Sequence, residues 1–194
     1  MPETSVSLLE RLRLRPDKES WRRLVDLYTP LIRAWLARHS LQESDAEDVI
    51  QEVMGILVRE LPKFRHDRRQ GAFRRWLRII TVNRLRVFWR GRKAHPAGTG
   101  DSDFEKVLHQ LEDPDSGLSR LWDQEHDLHV ARRLLELIEP EFESTTWQAF
   151  RGLVLDGKRT ADVAAELGVT PNAVRIAKSR VLSRFRQEVE GLID

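Results

Sequence analysis

Apolar residues recur at steps of three and four along most of this chain, which is the spacing of one face of an α-helix. Strand-like alternation of apolar and polar residues never runs for more than a few positions. The pattern therefore predicts an all-α protein. The first long run follows a helix start at residues 16–20, and its apolar positions are Trp21, Leu24, Val25, Leu27, Tyr28, Leu31, Ile32, Trp35 and Leu36.

Two more helical runs follow before residue 93. The first is predicted to open with a capping box, in which Ser44 caps the helix and Glu47 reaches back to it. Pro62 lies just beyond its predicted end, and a basic loop at residues 63–71 separates it from a third helix at about residues 72–90.

Residues 94–119 differ from both flanks because turn formers and acidic residues dominate there. This stretch is predicted to be a linker with one short helical turn around residues 104–111. Helical spacing resumes afterwards. The prediction is two small helical domains, at residues 5–93 and 120–192, joined by an acidic linker.

Residues 160–185 carry the sharpest local signal, that of a helix-turn-helix. Thr160 is placed to cap a short helix, and Gly168 suits the left-handed position that ends it. Thr170 and Pro171 then supply a cap and a first helical residue for a second helix. Its apolar positions are Val174, Ala177, Val181 and Phe185.

The second helix of this unit has a polar, basic face. Arginine, lysine and asparagine can pair with base edges in the major groove, which is the groove that admits a helix. The alternative is an ordinary helical hairpin with a solvated basic face. The candidate recognition residues are Thr170, Asn172, Arg175, Lys178, Ser179 and Arg180, flanked by Arg184.

Composition narrows the class of protein. The chain has no cysteine, no apolar run long enough for a membrane span and no signal-peptide pattern at its start, so we expect a cytoplasmic protein. Charge is segregated: residues 59–93 hold 13 Lys or Arg and two acids, residues 101–143 hold 13 acids and four Lys or Arg, and residues 158–186 hold seven Lys or Arg and two acids. Two basic blocks predict two nucleic-acid contact surfaces.

The helix predicted to open at Ser44 also carries an acidic-polar patch. Asp48, Gln51 and Glu52 lie on one face at i, i+3 and i+4, and Asp45 lies one turn earlier. Such a patch either keeps the protein soluble or docks on a basic or polar helical partner.

Three segments together resemble the sigma-70 family of RNA polymerase initiation factors. The sequence DAEDVIQEV at residues 45–53 resembles the core-polymerase-binding segment, FRRWLRIITVN at residues 73–83 resembles the promoter-melting segment, and residues 160–186 resemble the −35-reading helix-turn-helix. With two such regions and a linker, the chain resembles the short extracytoplasmic-function (ECF) type.

The resemblance implies a function for each surface. Asp45, Asp48, Gln51 and Glu52 would bind core RNA polymerase, the basic segment would hold the single-stranded −10 element, and the helix-turn-helix would read duplex −35 DNA. It also implies an anti-sigma protein as a partner. Single-strand capture needs cations and aromatic planes, and the implied residues are Lys63, Arg65, Arg74, Arg75, Arg78, Asn83, Arg86 and Trp89, with Arg68 and Arg69 in the preceding loop.

Three residues of the third helix have open alternatives. On a helical wheel Trp76 falls on the apolar face with Phe73 and Val87, so Trp76 is predicted to be a core residue. Trp89 falls opposite and is the better candidate for base stacking. Arg84 falls inside the apolar stripe and either extends its charge to solvent or has a specific partner.

No catalytic motif or phosphate-binding loop is present, so we expect neither an enzyme nor a cofactor. His126 and His129, one turn apart, are predicted to face solvent and not to hold a metal. Two other functions remain open: a stand-alone helix-turn-helix regulator whose first domain dimerises or senses a ligand, and a DNA-processing enzyme, which would lack a catalytic constellation.

Overall fold

The protein is all-α, as the sequence predicts. The computed structural model describes residues 7–38, 41–65, 71–93 and 101–193, and these form nine α-helices. They are α1 (Leu8–Leu14), α2 (Lys18–Ala37), α3 (Glu43–Glu60), α4 (Ala72–Lys93), α5 (Asp101–Glu112), α6 (Gly117–Ile138), α7 (Ser144–Phe150), α8 (Thr160–Leu167) and α9 (Pro171–Val189). A π-helical turn, Arg151–Leu155, continues α7. None of the helices described is long and apolar enough to cross a membrane.

The first helices begin close to their predicted starts. Asp17 caps α2 by accepting a hydrogen bond from the backbone N–H of Ser20 at 2.8 Å. The predicted capping box in α3 is wrong, because that helix begins at Glu43 with Gln42 as its N-cap and no side-chain cap bond. Ser44 therefore lies inside the first turn. The acidic residues in the first turn of α3 still interact favourably with the positive end of the helix dipole.

The predicted linker contains more structure than one helical turn. The residues at 101–112 form the whole of α5, and Leu108 and Leu111 of this helix are buried. Ser116 then caps α6 through the backbone N–H of Ser119 at 3.0 Å. The predicted linker residues 94–100 lie outside the described part of the chain.

One hydrophobic core joins α1 to α6. It contains residues from each of these helices and also Leu192, which lies beyond α9. Helix α6 contributes Trp122, Val130 and Leu134 to this core, whereas Ile138 at its end packs with Trp147, Phe150 and Val181 in a C-terminal cluster. Helix α6 therefore connects the first helices with the C-terminal ones.

Candidate nucleic-acid interfaces

Helices α8 and α9 and the turn between them follow local signals that the sequence carries. Gly168 ends α8 with φ 64°, in the left-handed region where glycine is favoured. Thr170 caps α9 by accepting a hydrogen bond from the backbone N–H of Ala173 at 3.1 Å, and Pro171 occupies the first helical position. The predicted cap at Thr160 is wrong, since Arg159 is the N-cap residue of α8 and makes no side-chain cap bond.

A small core holds the two helices of this unit together. Val163 and Ala164 of α8 are buried against Val174 and Ala177 of α9, and Val169 in the turn packs against them. This packing turns the opposite face of α9 outward.

The outward face of α9 is exposed to solvent. Thr170, Asn172, Arg175, Lys178, Ser179 and Arg180 are all exposed. Within the part of the chain that the structure describes, none of the three cations on this face has an acidic partner. Arg184 differs from them, because it donates to Glu141 at 2.6 Å and to Glu188. The face is therefore free to donate to bases and phosphates, and Arg184 is not part of it.

The basic helix α4 presents two different sides. Arg75 and Asn83 are exposed, together with Ile79 and Arg90 at helical spacing. Val87, which falls near the apolar face on a helical wheel, is 49% exposed on this open side. The open side thus offers cations and one amide to a ligand.

The other side of α4 is covered by acidic side chains of α6. Arg78, predicted to contact DNA, is only 2% exposed and donates to the Asp123 carboxylate at 2.9 Å and to the Ser119 carbonyl at 3.2 Å. Burial lowers the pKa of the Arg78 guanidinium, and the charge of Asp123 opposes that shift. In this conformation Arg78 is not available to nucleic acid.

Two further arginines of the predicted single-strand surface are paired in the same way. Arg74 donates to Asp127 at 2.6 Å and lies 3.6 Å from Asp123. Arg86 pairs with Glu112 at the end of α5, and the hydrogen bond from Arg86 lowers the pKa of that carboxyl. Three cations predicted to bind DNA therefore have internal carboxylate partners.

The remaining predicted residues of the single-strand surface are placed unevenly. Lys63, 3.5 Å from Glu60, and Arg65 are exposed, whereas Trp89 is half-buried and packs against the main core. Trp76, predicted to be a core residue, is half-buried and stacks on Phe64 with ring centroids 4.5 Å apart. Arg68 and Arg69 lie outside the described residues.

The acidic-polar patch of α3 is open to solvent. Asp48, Gln51 and Glu52 are exposed, and Asp45 is half-buried. Glu52 lies 3.7 Å from Arg84, so the arginine inside the apolar stripe of α4 has a specific partner. The patch is therefore accessible on the surface of α3 in this conformation.

The prediction that the two histidines of α6 face solvent is wrong. His126 is fully buried between α2 and α6, with its Nε2 atom 3.3 Å from the Tyr28 hydroxyl and its Nδ1 atom 2.9 Å from the Asp127 carboxylate. His129 lies 2.7 Å from the backbone carbonyl of Leu27. Their packing against α2 could not be read from a helix considered alone. Among the described residues no cluster of three or more His, Cys, Asp or Glu could hold a metal.

One segment of the chain is similar to a known protein family. Residues 24–95 match the family model of sigma-70 region 2. The matched segment includes most of α2 and all of α3 and α4, and hence the acidic-polar patch and the basic helix. No curated protein matches the chain. The match supports a sigma-70 family sigma factor, a class that acts in promoter recognition and transcription initiation and binds core RNA polymerase and promoter DNA.

Proposed function

We propose that this protein is a sigma factor of the ECF type, which binds core RNA polymerase and directs transcription initiation at specific promoters. The observation that carries the proposal is the family match at residues 24–95, because it includes a polar helix face and a cationic helix in one helical unit. The open basic face of α9 supports the same function independently. The chemistry of RNA synthesis belongs to the polymerase, so the proposed protein is not an enzyme and needs no cofactor.

Core polymerase would bind the patch on α3. Asp48, Gln51 and Glu52 are exposed on one face, and carboxylates favour a basic or polar partner surface. Asp45, at the start of the same helix, completes the proposed surface.

The −10 element would bind as a single strand along α4 and the residues before it. The exposed residues Lys63, Arg65, Arg75 and Asn83 are the available contacts, and cations that track a phosphate backbone suit single-stranded DNA. Arg74, Arg78 and Arg86 would join them once their carboxylate partners move away.

The −35 element would bind the exposed face of α9 in the major groove. Arg175 is the central candidate for a base contact, with Asn172 and Ser179 on the same face. Lys178 and Arg180 would neutralise phosphates and set the docking angle.

The proposal includes the division of labour between residues 5–93 and residues 120–192, with the former opening the promoter and the latter reading the −35 element. It also includes a cytoplasmic location and an anti-sigma protein as a regulator. The alternative of a stand-alone helix-turn-helix regulator is less favoured, since such a regulator has no use for a sigma-70 region 2.

The decisive experiment measures binding to purified core RNA polymerase and transcripts from promoter templates. Gln51→Arg and Asp48→Arg each place a positive charge in the patch and should abolish co-elution with core polymerase. Gln110→Arg is the matched control, because it makes the same change at an exposed position of α5. If the wild-type protein fails to bind core polymerase but binds duplex DNA tightly, the proposed function is wrong and the stand-alone regulator is favoured.

A further inference from the structure

The acidic side of α5 and α6 binds the same guanidinium groups that the proposed function assigns to single-stranded DNA. Arg74, Arg78 and Arg86 donate to Asp127, Asp123 and Glu112 respectively. Carboxylate and phosphate oxygens both accept charge-assisted hydrogen bonds from guanidinium, often through the same N–H groups. An internal carboxylate and a DNA phosphate therefore compete for each of these arginines.

Apolar packing holds α6 in this position. Trp122 of α6 is buried and meets Trp35 of α2 edge-on, with ring centroids 4.5 Å apart. Glu125 of α6 accepts from the Trp35 indole N–H at 3.2 Å and from Arg38 at 2.7 Å. The contact thus combines a buried aromatic pair with directed hydrogen bonds, unlike a loose association of surface charges.

A second contact joins the end of the chain to its beginning. Glu188 of α9 is 2% exposed and accepts from Arg11 of α1 at 3.0 Å as well as from Arg184. Leu192, just beyond α9, is buried in the main core. The chain after α5 therefore contacts the first helices at two separate places, through α6 and through residues 188–192.

The other two functional surfaces remain open in this arrangement. The α3 patch around Gln51 and the α9 face around Arg175 are exposed while Arg78 is buried. The packing of α5 and α6 on α4 thus covers part of the proposed single-strand surface and leaves the proposed polymerase and −35 surfaces accessible.

We propose that the acidic side of α5 and α6 is an internal lid that occupies part of the single-strand-binding surface of the free protein. The lid regulates the capture of the unpaired strand and does not block recruitment to the polymerase or to duplex DNA. The inference rests on the proposed function, because it assigns Arg74, Arg78 and Arg86 to single-stranded DNA. Its release exposes all three guanidinium groups at once.

The test compares a lid variant with a charge-matched control in the full-length protein. Asp123→Asn with Asp127→Asn removes two lid charges and keeps the side-chain shape. Glu139→Gln with Glu143→Gln removes two charges from exposed positions outside the lid. Affinity for a fluorescein-labelled, mixed-sequence single-stranded oligodeoxynucleotide should rise about tenfold in the lid variant, because a larger fraction of the protein is open. The control should stay within about twofold of wild type.

Lid opening can be observed directly. The chain has no cysteine, so Val58→Cys on α3 and Gln124→Cys on α6, both exposed, provide two unique positions for a fluorescent donor and acceptor. We expect the donor–acceptor distance in the doubly labelled protein to increase when the two lid substitutions are added. If the lid variant shows the longer distance without a gain in oligonucleotide affinity, or if neither quantity changes, the inference is wrong.

A milder variant keeps the test valid if the double substitution lowers the helical content measured by circular dichroism. Of the three lid pairs, Glu112→Gln breaks only the one with Arg86, and it should give a smaller rise in oligonucleotide affinity. An affinity equal to wild type in this variant, with its fold intact, would contradict the lid. The proposed function is judged separately: promoter-dependent transcripts from wild type with unchanged oligonucleotide affinity in the variants would overturn the lid alone, whereas loss of core binding by wild type would overturn the function.

Discussion

Helices α4 and α9 have similar basic chemistry, but the cations on the outer face of α9 are exposed whereas those on one side of α4 are paired within the protein. On α9, Arg175 and Lys178 face solvent because α8 and α7 pack only against the apolar side of that helix. On α4, Arg74 and Arg78 lie against α6 and donate to its carboxylates Asp127 and Asp123. A basic segment therefore becomes an available binding surface only where no acidic element of the same chain packs against it.

The ion pair between Arg78 of α4 and Asp123 of α6 also has an energetic consequence that has no counterpart on α9. Burying a guanidinium is costly, and Asp123 together with the Ser119 carbonyl offsets that cost for Arg78. Removing one partner leaves a buried, uncompensated charge, so the contact responds strongly to changes on either side. An exposed arginine such as Arg175 has no comparable internal cost.

The largest expected effect comes from removing the tryptophan that packs α6 against α2. Trp122→Ala removes a buried ring between α6 and α2 and should lower the free energy of unfolding by about 3–5 kcal/mol. It should also raise affinity for the single-stranded oligonucleotide, because α6 loses its anchor on α2. Trp147→Ala, in the C-terminal cluster, is the matched control and should destabilise the protein without raising that affinity. Urea unfolding and fluorescence anisotropy measure the two quantities.

The next effect concerns duplex recognition by α9. Arg175→Ala should weaken binding to duplex −35 DNA by about 1–3 kcal/mol if the side chain contacts a base. Lys158→Ala should have little effect, since Lys158 already pairs with Glu166 at 2.7 Å. Binding to a matched and a scrambled duplex distinguishes the two kinds of contact. An equal loss on both sequences would identify Arg175 as a phosphate contact.

A smaller effect is expected at the cap of α9. Thr170→Ala removes the hydrogen bond from the Ala173 N–H to the threonine hydroxyl and should lower stability by about 1 kcal/mol. Thr160→Ala is the matched control because Thr160 is not the cap residue of α8, and it should change stability much less. Thermal unfolding of both variants decides this point. Equal losses would mean that the cap bond of Thr170 contributes nothing measurable.

The smallest expected effect is a pH dependence of the α6 contact. Burial lowers the pKa of His126 from 6.5, and the hydrogen bond and charge of Asp127 oppose that shift. The groups that face His126 are Tyr28 of α2, Arg74 of α4, and Asp123 and Asp127 of its own helix. A lowered histidine pKa favours the folded contact fully above pH 6.5, and this contribution is lost as the pH falls below 6.5.

The pH dependence can be assigned to one side chain. Burial raises the pKa of Asp127, but the hydrogen bonds and charges of His126 and Arg74 outweigh it, so that carboxyl titrates below 3.8 and outside the window. The melting temperature should therefore fall between pH 7.5 and pH 5.5 in wild type. His126→Asn should flatten this slope, and His109→Gln, at an exposed position of α5, should not. A slope unaffected by His126→Asn would assign the effect to another group.

Local sequence signals predicted much of the fold. The positions of Gly168, Thr170 and Pro171 predict the turn and the start of α9, and Gln51 falls on the exposed face of α3 as its helical spacing requires. The misplaced caps at Ser44 and Thr160 differ from the observed N-cap residues by two positions and by one. These signals succeed because a cap or a helical face depends on residues within one or two turns.

The sequence by itself therefore determined the all-α class, the start of α9 with the turn before it, and the presence of two basic segments. Only the tertiary structure decided which cations are accessible. Arg74 and Arg78 meet acidic partners 53 and 45 residues away in the chain, and His126 meets Tyr28 across 98 residues. No local pattern encodes such pairs, because they depend on how α6 packs against α2 and α4, and that packing is set by a core shared among six helices.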